Sequence, residues 1–291
     1  MVQLVDSDIQ TREVLDWKGL HLLHHPAAAC SKKVRIFLNV KGIDWESHIV
    51  DITSGENYSE WFLGVNPRGL IPVLVDDGVV HIESNDILMY LESKFSGSAP
   101  GPDLIPAGGE SDMELRLKHE NSLHMDLRTL VFRFYFPGKS PSKPEGALEK
   151  YRDTGSGTVG GAKDQEKSVQ IDFWETVSRE GITDEAARKS ALKFRAAFDE
   201  LEARLEDNPY LLGDALSILD VAWFIYTDRL ILAGYPISRL HPLIDQWFNK
   251  LSERPEFSKE VVMPDPMKEM IATAQSEQEK AGKTLSLIAG F

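Results

Sequence analysis

The sequence predicts two domains of different class: a small α/β sandwich with element order β-α-β-α-β-β-α, then an all-α helical bundle. Three observations predict it. Between residues 19 and 97, short Leu/Val/Ile-rich runs alternate with segments of helical periodicity. Residues 97–109 are rich in Gly, Pro and Ala, a composition shift that marks a linker. Beyond it strand signals largely vanish, and apolar residues recur at helical spacing. A chain of 291 residues, 42% hydrophobic, suits about two domains. The expected division is a polar leader over 1–18, the α/β domain over 19–97, a linker over 98–112, the helical domain over 113–262 and a tail over 263–291.

Residues 1–18 are polar and acidic and read as loosely held. Leu20–His24 is the first strand. His25–Ser31 reads as a turn entering a helix, with Pro26 as punctuation and Ser31 as an N-cap. Val34, Phe37, Leu38 and Val40 give that helix its apolar spacing, and Gly42 stops it. Ser47–Ile52 reads as a second strand, followed by a short helix around Glu56–Leu63. Asn66-Pro67-Arg68-Gly69 is a turn signal. Ile71–Val75 and Val79–Ile82 are the third and fourth strands, joined through Asp76-Asp77-Gly78. Ser84 caps a helix through Ile87, Leu88, Leu91 and Phe95. A parallel βαβ unit, a hairpin and a closing helix make a sandwich, not a doubly wound sheet.

In the second half, Met113–Phe136 fits one long helix ended by Pro137. Residues 138–166 are polar and Gly-rich and read as either a long surface loop or a disordered insertion. Helical patterns resume over Thr183–Asp207, Ser217–Ala233 and His241–Glu253, and Asp265–Gly282 reads as an exposed amphipathic segment. Ser217-x-x-Asp220 has the capping-box pattern with a structural role, worth about 1–2 kcal/mol.

Asp and Glu outnumber Lys and Arg by 46 to 32, for a net charge of −14. Such a chain is not drawn to phosphate backbones, so nucleic acid is not an expected partner. The single cysteine, Cys30, precludes an internal disulfide and fits a reducing compartment. The start lacks a basic region and an apolar core, and the longest apolar run, Val221–Tyr226, is too short for a membrane span. The expected location is cytoplasmic. No His/Cys/Asp/Glu cluster has metal-ligand spacing, and there is no Gly-rich phosphate loop. No metal is therefore expected.

Three stretches carry a resemblance. They are Leu23-His24-His25-Pro26 through Cys30-Ser31-Lys32-Lys33-Val34-Arg35, Asn66-Pro67-Arg68-Gly69-Leu70-Ile71-Pro72-Val73-Leu74 ending at Glu83-Ser84, and Leu212-Gly213-Asp214 with Ser217–Ala222. In this order and spacing, over roughly residues 19–260, the chain resembles the cytosolic glutathione transferase superfamily. The resemblance implies a thioredoxin-like first domain and glutathione as co-substrate. It also implies a small-molecule electrophile as the second substrate and a homo- or heterodimeric assembly. It implies a cis bond before Pro72, whose turned-out peptide at Ile71 pairs with the cysteinyl unit of glutathione. It further implies that Glu83 and Ser84, at a helix start with free N–H groups, hold the γ-glutamyl end. Arg68 and Lys33 are candidates for the glycyl carboxylate, the alternative for both being a solvated surface charge.

The superfamily's chemistry needs one donor beside the glutathione sulfur, so that a thiol of pKa near ~8.5 becomes thiolate at neutral pH. The turn offers Cys30 and Ser31. Ala28-Ala29-Cys30 lacks the serine of zeta-like members, whereas bacterial beta-class members set a cysteine at this place. Classes that use serine at the first helical position point to Ser31. The third option is neither, with Cys30 buried and inert. His124, Arg128, Phe132 and Tyr135 share one helical face and are candidates for the electrophile pocket. Their alternatives are core packing and surface pairing. Trp223, Phe224 and Tyr226 could add an aromatic wall, although Trp223 and Phe224 read better as core. Three functions follow: transfer of glutathione to a soft aromatic, halogenated or ether electrophile; glutathione-dependent thiol reduction through Cys30; or glutathione binding without turnover.

Overall fold

A computed structural model of the chain describes residues 2–136 and 143–291. The first strand, β1 (Val2–Gln3), lies in the leader, followed by β2 (Leu20–His24), α1 (Ala29–Lys41) and β3 (Glu46–Ile49). Then come α2 (Glu60–Val65), the hairpin β4 (Val73–Asp76) and β5 (Val79–Ile82), and α3 (Ser84–Phe95). The sheet order is β1-β5-β4-β2-β3. Only the β2–β3 pair is parallel, through the α1 crossover, and the others are antiparallel. This is the expected thioredoxin-like order with an extra edge strand supplied by the leader.

Helix α1 ends as the sequence requires, at Gly42 in the left-handed region (φ 64°), whose N–H closes on Asn39 and Leu38 carbonyls. In the β4–β5 hairpin, Gly78 has φ 84°, and a Cβ there would lie 2.1 Å from the Leu15 carbonyl oxygen. The leader thus runs directly over the turn. It is not loose: Leu4, Ile9 and Val14 are buried with Leu23, Phe62, Val65, Val73, Val75, Val80 and Ile82. Gln10 and Thr11 both donate backbone N–H to the Gly64 carbonyl, at 2.7 and 3.0 Å.

Residues 110–136 hold two helices, not one: α4 (Glu110–Ser122) and α5 (His124–Phe134), separated at Leu123 with φ −90° and ψ 0°. After the undescribed residues 137–142 come α6 (Ala147–Asp153), the hairpin β6 (Thr158–Val159) and β7 (Ala162–Lys163), and α7 (Glu166–Glu180). The remaining helices are α8 (Asp184–Leu205), α9 (Ile218–Leu232), α10 (Ile237–Leu240), α11 (Pro242–Ser252), α12 (Pro255–Val261), α13 (Asp265–Ala281) and α14 (Leu285–Ala289). Among the described residues, no helix is long and apolar enough to cross a membrane.

The chain divides into two compact units, residues 1–102 with 142–179, and residues 103–141 with 180–291. The first boundary falls inside the expected linker. The second departs from expectation, because most of the segment expected as a loop or disordered insertion within the helical domain belongs to the first unit. Its anchor is Tyr151, fully buried with Tyr58, Leu63 and Ile171 and stacked on Tyr58 at 4.3 Å. The second anchor is Asp8 of the leader. Its carboxylate accepts from Thr158 Oγ1 (2.7 Å), Gly160 N (2.8 Å), Gly161 N (3.1 Å) and Val5 N (3.0 Å). Burial raises the Asp8 pKa, but these hydrogen bonds outweigh it and hold the group below the ordinary aspartate value.

The second unit is organised on α9, whose residues Ile218–Leu230 are all buried. A helix buried on every side forms the centre of a core, and its few polar residues must find partners inside it. Its start is fixed by Asp220, fully buried. One carboxylate oxygen accepts from Ser217 N and Oγ (2.9 and 2.6 Å), the other from Leu211 N and Trp247 Nε1 (3.0 and 2.9 Å).

Candidate functional site

The register of the first unit brings three loops to one end of the sheet. Leu23 of β2 pairs with Val73 of β4, and Val73 with Ile82 of β5. One residue further along each strand stand His24, Pro72 and Glu83. The His25–Ala28 turn, the Ile71–Pro72 bond and the Glu83–Ser84 step are therefore side by side. Helices α1 and α3 begin at this end, so their free N–H groups and positive dipole ends converge there.

Ile71–Pro72 is cis, as the resemblance implied. The β2–β4 ladder stops at Val73, so the Ile71 backbone lies beyond the paired region. Glu83 has φ 67° and ψ 114°, an unusual conformation for a non-glycine residue, and it hands over directly to Ser84 at the first position of α3. Ser84 is 7% exposed.

The α1 turn is braced from inside. Helix α1 begins at Ala29 with Ala28 as N-cap, so Ser31 lies within the first turn and is not the cap. Ser31 is fully buried, and its Oγ accepts from His25 N at 3.4 Å, while Cys30 is half-buried. Arg35, one turn on, donates to the His25 and Pro26 carbonyls at 3.2 and 3.0 Å and to His24 Nδ1 at 3.0 Å. Because arginine only donates, His24 carries its proton on Nε2, which reaches Ser47 Oγ at 2.8 Å. Burial, helped by the Arg35 charge, pushes the His24 pKa down to about 4, so the ring is neutral. His24 and Arg35 stand in the first of the three resembling stretches, but no role was expected of either; among Lys32, Lys33 and Arg35 at the start of α1, nothing local marks Arg35 as the brace.

Neither cation considered for the glycyl carboxylate is a solvated surface charge. Lys33 is fully buried. Arg68 is clamped between two carboxylates. It meets Glu83 at 2.5 Å and Asp164 through two parallel bonds of 3.0 and 2.8 Å. Burial lowers the Arg68 pKa, and the two carboxylates more than reverse it, so the guanidinium stays charged. The turn that carries Arg68 is tied by Asn66 Nδ2 to Leu70 O (2.7 Å) and by Asn57 Nδ2 to Gly69 O (2.8 Å). Gly69 sits at φ 62°, and a Cβ there would meet the Tyr151 ring at 2.8 Å. Asp164, just after β7, thus shares the Arg68 guanidinium with Glu83, although nothing in its local sequence marks the contact.

In the helical unit, the four expected pocket residues do not behave alike. Tyr135 is 2% exposed, and its hydroxyl donates to the Arg229 carbonyl at 2.8 Å, so it is core and not pocket wall. His124 pairs through Nδ1 with the buried Tyr226 hydroxyl at 3.0 Å. Arg128 and Phe132 are half-buried, with Phe132 6.2 Å from Phe136. Trp223, Phe224 and Tyr226 are all buried in the core. A shallow groove in this unit is lined by Leu115, Arg116, His119, Leu201 and Trp223, among others, and by none of the four expected residues.

Comparison with known proteins accords with this architecture. The profile for the glutathione S-transferase N-terminal domain matches residues 28–94, and that for the C-terminal domain matches residues 184–254. Glutathione S-transferase F10 of Arabidopsis thaliana is 27% identical over 241 residues, covering 80% of this chain and 92% of its own. Transcriptional regulator URE2 of Saccharomyces cerevisiae is 26% identical over 251 residues, 83% of this chain and 67% of its own. The crystal structure of β-etherase LigF from Sphingobium sp. strain SYK-6 superposes with a TM-score of 0.66 at 24% identity, over 83% of this chain and 98% of that one, a likeness of fold. With a thioredoxin-like order, a cis proline before β4, a Glu-Ser step at the start of α3 and both domain profiles in sequence, the chain belongs to the cytosolic glutathione transferase superfamily.

Proposed function

We propose that the chain is a glutathione transferase in which glutathione lies along the end of the sheet where β2, β4 and β5 terminate. The observation that carries this reading is the row Leu23–Val73–Ile82, which sets the α1 turn, the Ile71 peptide and Glu83–Ser84 next to one another. The Ile71 backbone would pair with the cysteinyl unit as an added strand. The α-carboxylate of the γ-glutamyl unit would take the N–H groups and hydroxyl at Ser84, and its ammonium the Glu83 carboxylate.

At the α1 start, Cys30 and Ser31 differ in access. Ser31 is buried and already engaged, whereas Cys30 is half-buried. We therefore assign Cys30 as the group beside the glutathione sulfur. Its S–H donates to the thiolate, and the α1 N-terminus favours the anion. The thiolate then attacks a soft electrophile of the aromatic, halogenated or ether type, and the leaving group departs with its bonding pair. The half-buried Arg128 and Phe132 on α5 support a polar-aromatic acceptor surface. A dimer belongs to the same reading.

Glutathione-dependent thiol reduction is the second reading, favoured by Cys30 being an accessible thiol at a helix start. Its thiolate would displace the substrate thiol from a glutathionylated disulfide. A second glutathione would then regenerate Cys30 and leave as oxidised glutathione.

Isothermal titration of glutathione, followed by assays of Cys30→Ser on an electrophile panel and on a mixed disulfide, separates the readings. The transferase reading expects saturable binding and turnover on an electrophile that falls, but persists, in Cys30→Ser. Abolished disulfide reduction with no electrophile turned over selects the reductase. Binding with no turnover of either kind selects a binding protein, and no binding removes all three.

A further inference from the structure

We propose that His21, Glu46 and His48 form a binding site for a divalent transition-metal ion of the zinc type, separate from the glutathione end of the sheet. Strands β2 and β3 run parallel with His21 opposite Glu46 and Leu23 opposite His48. Side chains alternate along a strand, so His21, Glu46 and His48 all project from the face that carries Leu23. His24, at the glutathione end, is three residues further on and faces the other way, about 10 Å distant along the strand.

The three side chains converge on one point. His21 Nδ1 lies 3.0 Å from His48 Nε2. Glu46 Oε2 lies 3.5 Å from His21 Nδ1, and its other oxygen, Oε1, lies 3.6 Å from His48 Nε2. A tetrahedral zinc ion with ligands at about 2.0–2.1 Å requires ligand atoms about 3.3–3.4 Å apart. One ligand atom from each of the three residues lies within 4.8 Å of the others, and a turn of the exposed Glu46 carboxylate closes them onto one face of such a tetrahedron. Two imidazoles and a carboxylate form a three-ligand set that zinc accepts with a fourth position left to water. Glu46 is 66% exposed, so an ion can enter from solvent.

The surroundings hold the ligands in a metal-ready form. His21 Nε2 is 2.8 Å from the Lys18 carbonyl, an acceptor only, so the proton sits on Nε2 and the Nδ1 lone pair faces His48 and Glu46. A backbone carbonyl orienting the remote nitrogen is the usual outer support of a metal-bound histidine. Trp17 stacks on the His48 ring at 4.5 Å and 14°, and its centroid is 4.7 Å from that of His21. The leader thus supplies both the carbonyl and the aromatic wall. Without metal, His48 must donate Nε2–H to His21 Nδ1. Metal binding breaks that Nε2–H bond, forms the metal–nitrogen bond in its place and leaves the proton on His48 Nδ1. No electron is transferred. The linear sequence gave no metal-ligand spacing, because the ligands come from two strands joined by the α1 crossover.

The test is calorimetric titration of zinc sulfate into tag-free protein stripped with chelator, without glutathione, together with ¹⁵N NMR of the histidine rings. One equivalent should bind to the wild type and equally to Cys30→Ser. Glu46→Gln, an exposed change that spares folding, should weaken binding at least about 10-fold, and His48→Ala by more, since even loss of an outer partner of a ligand has effects of this order. His48 should change from the Nε2–H to the Nδ1–H tautomer at saturation. Absence of a one-to-one isotherm, undiminished affinity in both variants, or an unchanged His48 tautomer would each overturn the proposal. Glutathione affinity measured on Glu46→Gln should equal wild type, so the metal site can fail without touching the transferase reading.

Discussion

Replacing Asp8 by alanine tests whether the leader and the β6–β7 hairpin are one folded piece. Asp8 accepts four hydrogen bonds, three of them joining residues 152 or so positions apart: Thr158 Oγ1, Gly160 N and Gly161 N. A hydrogen bond to a charged group contributes about 1.5–3 kcal/mol. Gly160 and Gly161 lie at an exposed turn, so water replaces part of what they lose. The Asp8 backbone still accepts from Ser156 Oγ at 2.9 Å. The expected loss is about 2–4 kcal/mol of local stability at pH 7. The sensitive assay is amide hydrogen exchange at Gln10 and Thr11, whose N–H groups bond Gly64 O. Their protection should fall about 30- to 1000-fold, the equivalent of that free energy. Because the folded Asp8 pKa is depressed, the stabilisation is complete above the unfolded value near ~3.9 and is lost as pH falls through the folded value. The gap between wild type and variant should therefore close at strongly acid pH. Equal protection of Gln10 and Thr11 in both proteins at pH 7 would refute the reasoning.

Asp220→Ala should lower stability by about 3–5 kcal/mol in denaturant titration, more than a cap alone, because it strands four buried donors, including Trp247 Nε1. Asp164→Asn should weaken the hold on Arg68 and change glutathione affinity, read by calorimetry, with Glu83 freed from sharing the guanidinium. Acidification should destabilise the fold through the buried histidines. Burial lowers His24, His81 and His241 to about 4, so between the unfolded value of about 6.5 and that level only the unfolded chain is protonated. Each histidine then removes about 2 kcal/mol by pH 5, measured as a falling thermal midpoint from pH 7 to pH 5.

The strand and helix order from β2 to α3 was legible because each element carries its own local signal. Gly42 stops α1, Asp77-Gly78 turns the hairpin, and Ser84 opens α3. The cis Pro72 was legible only through the resemblance, since nothing local distinguishes it from an edge proline. What the sequence hid is held by contacts with no local signature. β1 is two residues long and pairs with β5 some eighty residues away. The Gly-rich 155–161 stretch reads as a loop, yet its glycines are what allow a tight hairpin to wrap the Asp8 carboxylate. Arg68 reads as a surface cation until Asp164, distant in sequence, is brought against it. Leu123 breaks the long helix without a Gly or Pro to announce it. Tyr135 fits the heptad-like face of its neighbours, and only its bond to Arg229 O shows that it points inward.

The divided first unit has a consequence for how the chain is made. Its last part, through residue 179, leaves the ribosome only after the 77 residues from 103 to 179 have followed the strands. At about 5–20 residues per second, that is roughly 4–15 s during which the sheet exists without the segment that buries Tyr58 and covers Arg68. Nascent chains arrested before residue 147 should therefore be cut by protease in the sheet region, whereas chains arrested well past residue 180 should resist.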